Sequence, residues 1–120
     1  MVDDQTRSEI VNNSADSLFF NAKFAVIVGM ETHVAVWQTC RDLLALGIMP
    51  VVLAGGVCSR NRLDTDVCLK KMKECGMVVT TLEAWIHEYL SGGEHEAFQD
   101  IYNLCQDPVV LQWFRFQMSR

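Results

Sequence analysis

The chain has 120 residues, which is enough for one small domain, and half of them are hydrophobic, so a core can form. Its net charge of −5 and the lack of a basic stripe argue against a surface that binds nucleic acid through its phosphates. The basic cluster Lys70, Lys71 and Lys73 is expected to form a solvated helix face. The longest apolar run, about residues 24–30, is far shorter than the ~20 residues of a transmembrane helix, and the acidic start resembles no targeting peptide.

The five cysteines are odd in number and irregularly spaced, and no CxxC pair exists. With only three histidines, the spacing of zinc ligands is not met, so we predict neither a metal nor a cofactor. Cysteines on otherwise apolar faces are typical of a reducing, intracellular compartment, where they act as small hydrophobic side chains. The cysteines are Cys40, Cys58, Cys68, Cys75 and Cys105.

Residues 1–20 read as a polar arm without hydrophobic periodicity. The run FAVIV, Phe24–Val28, predicts a strand, and its continuous hydrophobicity predicts burial on both faces, as in the centre of a parallel sheet. A helix is expected over Val34–Leu46, ended by Gly47. A second strand, Val51–Ala54, is expected to stop at the two glycines that follow it.

A second helix is predicted over residues 63–75 and a third strand over residues 77–80. Thr80 and Glu83 have the spacing of a capping box, and the apolar period from Leu82 to Leu90 predicts a one-sided helix. A last amphipathic helix covers residues 98–105 and ends before Asp107-Pro108. Strands alternating with helices predict an α/β fold with a three-layer, Rossmann-type parallel sheet of about three strands.

Three strands make a thin sheet, and the first strand reads as central, so something should pair with its free side. The arm, another chain, or a missing part of a longer protein could do this, and we favour another chain that contacts the open edge near Phe24–Val28. Residues 107–120 form a tail whose aromatic residues have an interface-type composition: Trp113, Phe114 and Phe116. The globular part is therefore predicted over residues 21–106.

Two segments carry a family resemblance: the turn GMETHVAV, Gly29–Val36, and the stretch VVLAGGVCSRNRLDTD followed by ECGMVVTTLEAWIHEYL. Over about 80 residues the chain resembles the isochorismatase-like cysteine hydrolases, closest to the isochorismatase-domain-containing branch. The resemblance implies a doubly wound sheet of six strands in full-length relatives, of which this chain would hold the last three. It also implies a cis peptide at Met30-Glu31.

The family's active site uses an aspartate, a lysine and a cysteine. The resemblance places the aspartate and lysine N-terminal to the matched region, and it places Ala35 where the cysteine would be. The other residues of this vestigial turn are Gly29, Met30, Glu31, Thr32 and His33. A methyl group cannot attack a substrate, so the chain is predicted to contain no catalytic residue of the family.

Two cysteines are candidates to substitute for the missing nucleophile. Cys40 is expected to be a core thiol, whereas Cys58, predicted on the loop after the second strand, is a better candidate for a reactive thiol. His33 is expected to be a hydrogen-bonded turn histidine and Thr32 a helix cap. Ser59 and Arg60 match the family's S-R loop, where structural pairing is expected and a carboxylate or phosphate ligand on the arginine is the alternative.

The resulting hypothesis is a catalytically inactive isochorismatase-like domain that acts as a structural or scaffolding subunit of a larger protein assembly. Two alternatives remain open: a cysteine-hydrolase-type enzyme completed by another chain, and a pseudoenzyme that still binds a small ligand. No direct contact with nucleic acid and no transmembrane segment are predicted. Because relatives that this chain resembles occur in the cytosol and in mitochondria, the cytoplasm and the mitochondrial matrix both fit.

Overall fold

Three parallel strands form one sheet in the order β1-β2-β3, which confirms the predicted α/β class. The structure is a computed structural model that describes residues 2–12, 21–109 and 112. The strands are β1 (Phe24–Met30), β2 (Met49–Cys58) and β3 (Val78–Thr80). The helices are α1 (Asp4–Asn12), α2 (Trp37–Ala45), α3 (Arg62–Glu74), α4 (Leu82–Leu90) and α5 (Phe98–Cys105), with a short π-helix (Thr32–Val36) directly before α2.

The main core lies where α2 and α3 pack against β2. Its buried side chains come from the π-helix, both α-helices, β2 and the residue directly before β3. The aliphatic residues of β2 are buried on both faces, as expected of the middle strand in a three-layer α/β arrangement. Lys71 of α3 covers the ring of Trp37 on α2, with the ammonium 4.4 Å from the ring centroid, so this lysine is not merely a solvated charge. The buried members are Val36, Cys40, Val52, Val57, Cys68, Met72 and Met77.

A second, smaller cluster joins α1 to α2. Ile10 packs with Leu43 and Ile48, and the N-terminal helix is also tied to α2 by Arg7, whose guanidinium lies 3.6 Å from the carboxylate of Asp42. The sequence showed no helical period here. The Asp3 carboxylate accepts the Thr6 N–H at 2.7 Å, and this bond lowers the pKa of Asp3, so a local cap and tertiary contacts make the helix rather than a hydrophobic repeat.

Strand β1 is not buried on both faces, contrary to the prediction from its continuous hydrophobicity. Alternate residues are exposed, and the exposed set is entirely apolar: Phe24, Val26, Val28 and Met30. The intervening residues Ala25 and Ile27 pack against the cluster around α2. Within the described residues β1 ends the strand order, so one edge of this strand is unpaired, and the face that carries its exposed side chains is open as well.

Strand β2 continues through the two glycines that were expected to end it. Ile27 is paired with Val52, but Gly29 is paired with Val57, so β2 accommodates extra residues in an irregularity between these pairs. Gly56 lies in this segment, and a Cβ added there would be 2.6 Å from the Val28 side chain. A glycine therefore lets the bulged strand approach β1 closely and resume pairing with it in a shifted register.

The chain divides into two compact units, Met1–Val79 and Thr80–Arg120. In the second unit α4 and α5 have the bounds expected from their apolar periods. The predicted cap of α4 is wrong, however. The hydroxyl of Thr81, and not that of Thr80, accepts the Ala84 N–H, at 3.2 Å. The rings of His87 and Phe98 meet edge to face and join the two helices. Trp113, Phe114 and Phe116 lie outside the described residues.

Among the described residues, no helix has both the length and the apolar character needed to cross a lipid bilayer.

Substituting Met72 by alanine tests the position of the main core. Met72 is fully buried between α3 and the sheet, so Met72→Ala leaves a cavity, and we expect a loss of about 2–5 kcal/mol in the free energy of unfolding. Leu63→Ala in the same helix is the matched control, since its side chain is 64% exposed, and should cost less than about 0.5 kcal/mol. Urea denaturation of both variants measures the difference, and equal losses would contradict this core.

Candidate functional site at the carboxyl end of β1

The backbone is unusual where β1 ends and the following turn begins. Gly29 has a φ of +141°, a region that disfavours side chains, and the peptide between Met30 and Glu31 is cis, as the family resemblance predicts. The chain then enters the π-helix, in which the Val36 N–H donates to the Glu31 carbonyl at 3.2 Å, and continues directly into α2. The helical segment thus begins at Thr32, two residues earlier than expected, and its first turn is wider than an α-helix.

Ala35 lies in the exposed first turn of this segment, beside an open groove of about 260 Å³ along β1. The strand contributes one wall of the groove, and the π-helix and α2 contribute the other. In the described part of the chain, none of the residues that line it carries an ionisable side chain, so it offers no acid or base next to the methyl group. The lining residues are Val26, Ile27, Val28, Gly29, Met30, Ala35, Val36 and Thr39.

A polar cluster lies at the same end of the sheet, centred on Ser59, the residue after β2. The Ser59 hydroxyl accepts the backbone N–H of Thr32 at 3.1 Å and lies 2.8 Å from Nδ1 of His33. A hydroxyl can accept one bond and donate the other, which it does here when the imidazole proton is on Nε2. His33 is thus hydrogen-bonded within the turn, and Ser59 links the turn to the end of β2.

Charged side chains surround this cluster at longer distances. Both ring nitrogens of His33 are 4.0 Å from a carboxylate oxygen, Nδ1 from Glu31 and Nε2 from Asp64. Arg60 donates its backbone N–H to Glu31 at 3.4 Å, and its Nε is 4.0 Å from the same carboxylate, while the side chain is 94% exposed. Exposed pairs of this length contribute little, about 0–1 kcal/mol each. The approach of Asp64 to His33 was not predicted, because no motif or spacing in the sequence indicates it.

Thr32 is not the helix cap that the sequence suggested. Its side chain is fully buried, and its hydroxyl oxygen has no hydrogen-bond partner among the described residues. The backbone groups of Thr32, in contrast, both form hydrogen bonds. Its N–H donates to the Ser59 hydroxyl, and its carbonyl accepts a hydrogen bond from the Cys68 thiol at 3.4 Å. The π-helix begins without any side-chain cap.

The cysteines of the described part of the chain differ in burial, and none of them lines the groove beside Ala35. Cys40 is completely buried, as predicted, and burial together with the neighbouring Cys68 raises the pKa of its thiol to about 11. Burial also raises the pKa of Cys68. Cys58 is exposed, but it is the last residue of β2, paired with Met30, and not part of the following loop. In the described residues no group of three or more His, Cys, Asp or Glu side chains could hold a metal ion.

Comparison with known protein families identifies one matching domain. The Isochorismatase domain matches residues 20–84, which include the turn, the groove and the polar cluster. Isochorismatase domain-containing protein 1 of Salmo salar is 37% identical over 81 residues, covering 68% of this chain and 29% of the relative. Isochorismatase family protein 1A of Dictyostelium discoideum is 33% identical over 85 residues, covering 71% of this chain and 41% of the relative.

Solved structures give the same result for the fold. The MAR1 ribonuclease from Caenorhabditis elegans superimposes with a TM-score of 0.74 and 29% identity, over 90% of this chain and 52% of that chain. A protein described as a MAR1 ribonuclease candidate from Leishmania donovani has a TM-score of 0.73, with 23% identity and 52% of its own chain covered. This chain therefore spans about half the length of these solved relatives and less of the curated ones.

Removing the unsatisfied hydroxyl of Thr32 should stabilise the protein. Thr32→Val keeps the shape of the side chain and replaces a buried hydroxyl without a partner by a methyl group, so we expect a gain of about 1 kcal/mol in the free energy of unfolding. Ser59→Ala is the opposite case, since it leaves the Thr32 N–H without its acceptor, and should cost about 1–2 kcal/mol. Chemical denaturation of both variants tests this; a destabilised Thr32→Val would indicate a hydroxyl partner.

The thiols should differ in reactivity, and the folded state should weaken at high pH. At pH 8 a thiol of pKa about 11 is ionised about once in a thousand molecules, so Cys40 should be alkylated far more slowly than the exposed Cys58 and Cys75. Because the unfolded Cys40 loses its proton near pH 9.0 and the folded one near 11, unfolding becomes easier as pH rises through this interval. Iodoacetamide labelling followed by peptide mass spectrometry measures the order, and Cys40 reacting first would contradict it.

Proposed function

Because this chain belongs to the isochorismatase family, we propose that it is a member without the family's thiol chemistry, which serves as a structural subunit of a larger protein assembly. The observation that carries this proposal is the environment of Ala35. A side chain without a lone pair stands beside a groove whose described lining offers no proton donor or acceptor of catalytic strength. Nucleophilic catalysis needs both a nucleophile and a group that activates it.

The exposed apolar face of β1 supports the structural part of the proposal. Four alternate side chains of one strand are open to solvent in the described residues, and an exposed apolar patch of this kind is typical of an interaction surface. The strand also presents an unpaired edge, which is a template for pairing with another polypeptide. We propose that partner subunits contact this edge and the tail that contains Trp113, Phe114 and Phe116.

The polar cluster favours a second candidate, a pseudoenzyme that binds a small carboxylate. The exposed guanidinium of Arg60 stands next to the Ser59–His33 pair, and both could contact an anionic ligand. Glu31 weakens this candidate, because its carboxylate already lies beside both Arg60 and His33. A thermal-shift screen with small acids distinguishes the two candidates. The pseudoenzyme predicts that an acid raises the melting temperature of the native protein but not that of Arg60→Ala, whereas the structural subunit predicts no such effect.

The remaining alternative is an enzyme completed by another chain, with Cys58 as the nucleophile. Cys58 is exposed at the carboxyl end of β2, which is where α/β enzymes place their reacting groups. It is absent from the residues that line the groove, and the groove holds no base within the described part of the chain. RNA cleavage, the activity for which the solved MAR1 ribonuclease of Caenorhabditis elegans is named, also fits poorly with a chain of net charge −5.

Restoring a thiol at the family position should not restore catalysis. We expect the native protein to leave small amides, vinyl ethers and RNA unchanged, and Ala35→Cys to behave in the same way. The reason is that the variant gains a nucleophile but no general base, which contributes about 10²–10⁴-fold. Product formation in excess over buffer, measured by liquid chromatography, checks this for both proteins.

Two variants control the assay. Val67→Cys places a thiol on an exposed position of α3, away from the groove, and reports the background reactivity of a surface thiol. Cys58→Ser reports any contribution of the native exposed cysteine. Hydrolysis by the native chain that is lost in Cys58→Ser would favour the enzyme alternative and contradict our proposal. Elution of the chain from its native cells at 13.6 kDa, rather than within a larger particle, would contradict the structural role.

A further inference from the structure

Helix α4 carries an apolar stripe on the side away from α5. Leu82, Trp85 and Tyr89 have the i, i+3, i+7 spacing that places side chains on one face of a helix. The contact with Phe98 of α5 instead uses His87, which is two residues from both Trp85 and Tyr89 and thus nearly opposite them around the helix. Leu82 and Tyr89 are 41% and 72% exposed, and the Tyr89 ring stacks on the ring of Trp85 with centroids 5.9 Å apart. The stripe therefore presents a stacked aromatic pair to solvent.

The unit that carries this stripe is also strongly acidic. Residues 80–109 contain six acidic residues and no lysine or arginine, whereas residues 1–79 contain nine acidic and eight basic ones. A surface this rich in one sign of charge attracts cationic partners and repels anionic ones such as nucleic acid. The charge therefore indicates that a molecule docking on this unit is basic.

Glu88 links the acidic charge to the aromatic pair. It lies three residues after Trp85 and directly before Tyr89, so its side chain and that of Trp85 are neighbours on the helix surface. The residue is exposed, and it belongs to none of the ion pairs of the described residues. A carboxylate beside an exposed ring is suited to a guanidinium, because the planar cation stacks on the ring and donates N–H bonds to the oxygens.

This face is separate from the features that identify the family. The Isochorismatase domain match ends at residue 84, so it does not include Trp85, Glu88 or Tyr89. The groove beside Ala35 and the polar cluster belong to the first compact unit, whereas the stripe belongs to the second. A ligand of the turn after β1 therefore leaves the face of α4 unexplained.

We propose that the face of α4 formed by Leu82, Trp85, Glu88 and Tyr89 docks an arginine-bearing segment of a partner protein. One arginine of that segment stacks on Tyr89 and pairs with Glu88, and apolar neighbours of the arginine cover Leu82. Arginine fits better than lysine, because its guanidinium is planar and more weakly hydrated. This inference rests on the proposed structural role, since it names the chemistry through which one partner subunit binds.

A synthetic peptide tests the site with the full native chain. The probe is a fluorescein-labelled peptide in which arginine alternates with leucine, and its binding is followed by fluorescence anisotropy at physiological ionic strength, where distant charges are screened. We expect saturable binding. A matched peptide with citrulline in place of every arginine keeps the shape of the side chain and loses its charge, so it should bind at least about fivefold more weakly.

Two variants locate the bound peptide. Glu88→Gln removes one charge from an exposed side chain without changing its shape, so it reports on the site even if Tyr89→Ala perturbs the helix. Each should weaken binding about 2–5-fold, the value of one exposed ion pair or cation–π contact. Glu96→Gln, in the connection between α4 and α5, and Tyr102→Ala, which removes a 47% exposed ring of α5, are the matched controls and should leave binding unchanged.

The contrary results are distinct. Absence of saturable binding, or equal binding of the citrulline peptide, would overturn the proposal. Equal losses in Glu88→Gln and Glu96→Gln would reveal a diffuse acidic field without a site, and would overturn it as well. Tighter binding after Arg115→Gln and Arg120→Gln are combined would mean that the tail of this chain competes for the face, which contradicts a partner segment. None of these results affects the structural role, which fails instead if the chain shows thiol-dependent hydrolysis in the assay described above.

Discussion

Parallel pairing of β1 with β2 is the constraint that brings every candidate functional residue of this chain together. The two strands pair in one register as far as Ile27–Val52, and pairing resumes in a shifted register at Gly29–Val57 and Met30–Cys58. Because the shifted register brings the ends of the two strands together, Ser59, the residue after β2, stands opposite the turn after β1 and can accept the N–H of Thr32. Gly56 makes this possible, since a Cβ there would overlap the Val28 side chain.

The turn separates two environments that an enzyme of this family would need to combine. On one side the groove beside Ala35 is lined by apolar residues and Thr39. On the other, His33 and Ser59 form a polar pair whose hydrogen bonds already serve the backbone of the turn. A nucleophile, a base and a donor act only when they converge on one reacting atom. In the described part of the chain, Ser59 accepts the Thr32 N–H and lies beside the His33 ring, so this polar pair supports the fold at the turn.

The sequence was most informative where local and tertiary preferences agree. Helices α4 and α5 have the bounds that their apolar spacing predicts, and the cis peptide and the turn at Gly29 follow from the family resemblance. It failed where a tertiary contact overrides a local signal. Helix α1 forms on an Asp3 cap and an ion pair to Asp42, and β2 continues through two glycines to a second stretch of pairing with β1. The contact between His33 and Asp64 joins two elements distant in sequence, so no spacing could reveal it.

The burial of β1 was mispredicted for a related reason, and the error is informative. A run of five apolar residues is selected when both faces of a strand are covered, yet the described chain covers only the face that carries Ala25 and Ile27. Burying each large side chain of the other face is worth about 1.5–3 kcal/mol, and four of them are exposed. That free energy is comparable to the whole stability of a small domain. The apolar side chains on this open face, Phe24, Val26, Val28 and Met30, are therefore best explained by a functional state in which that face is covered.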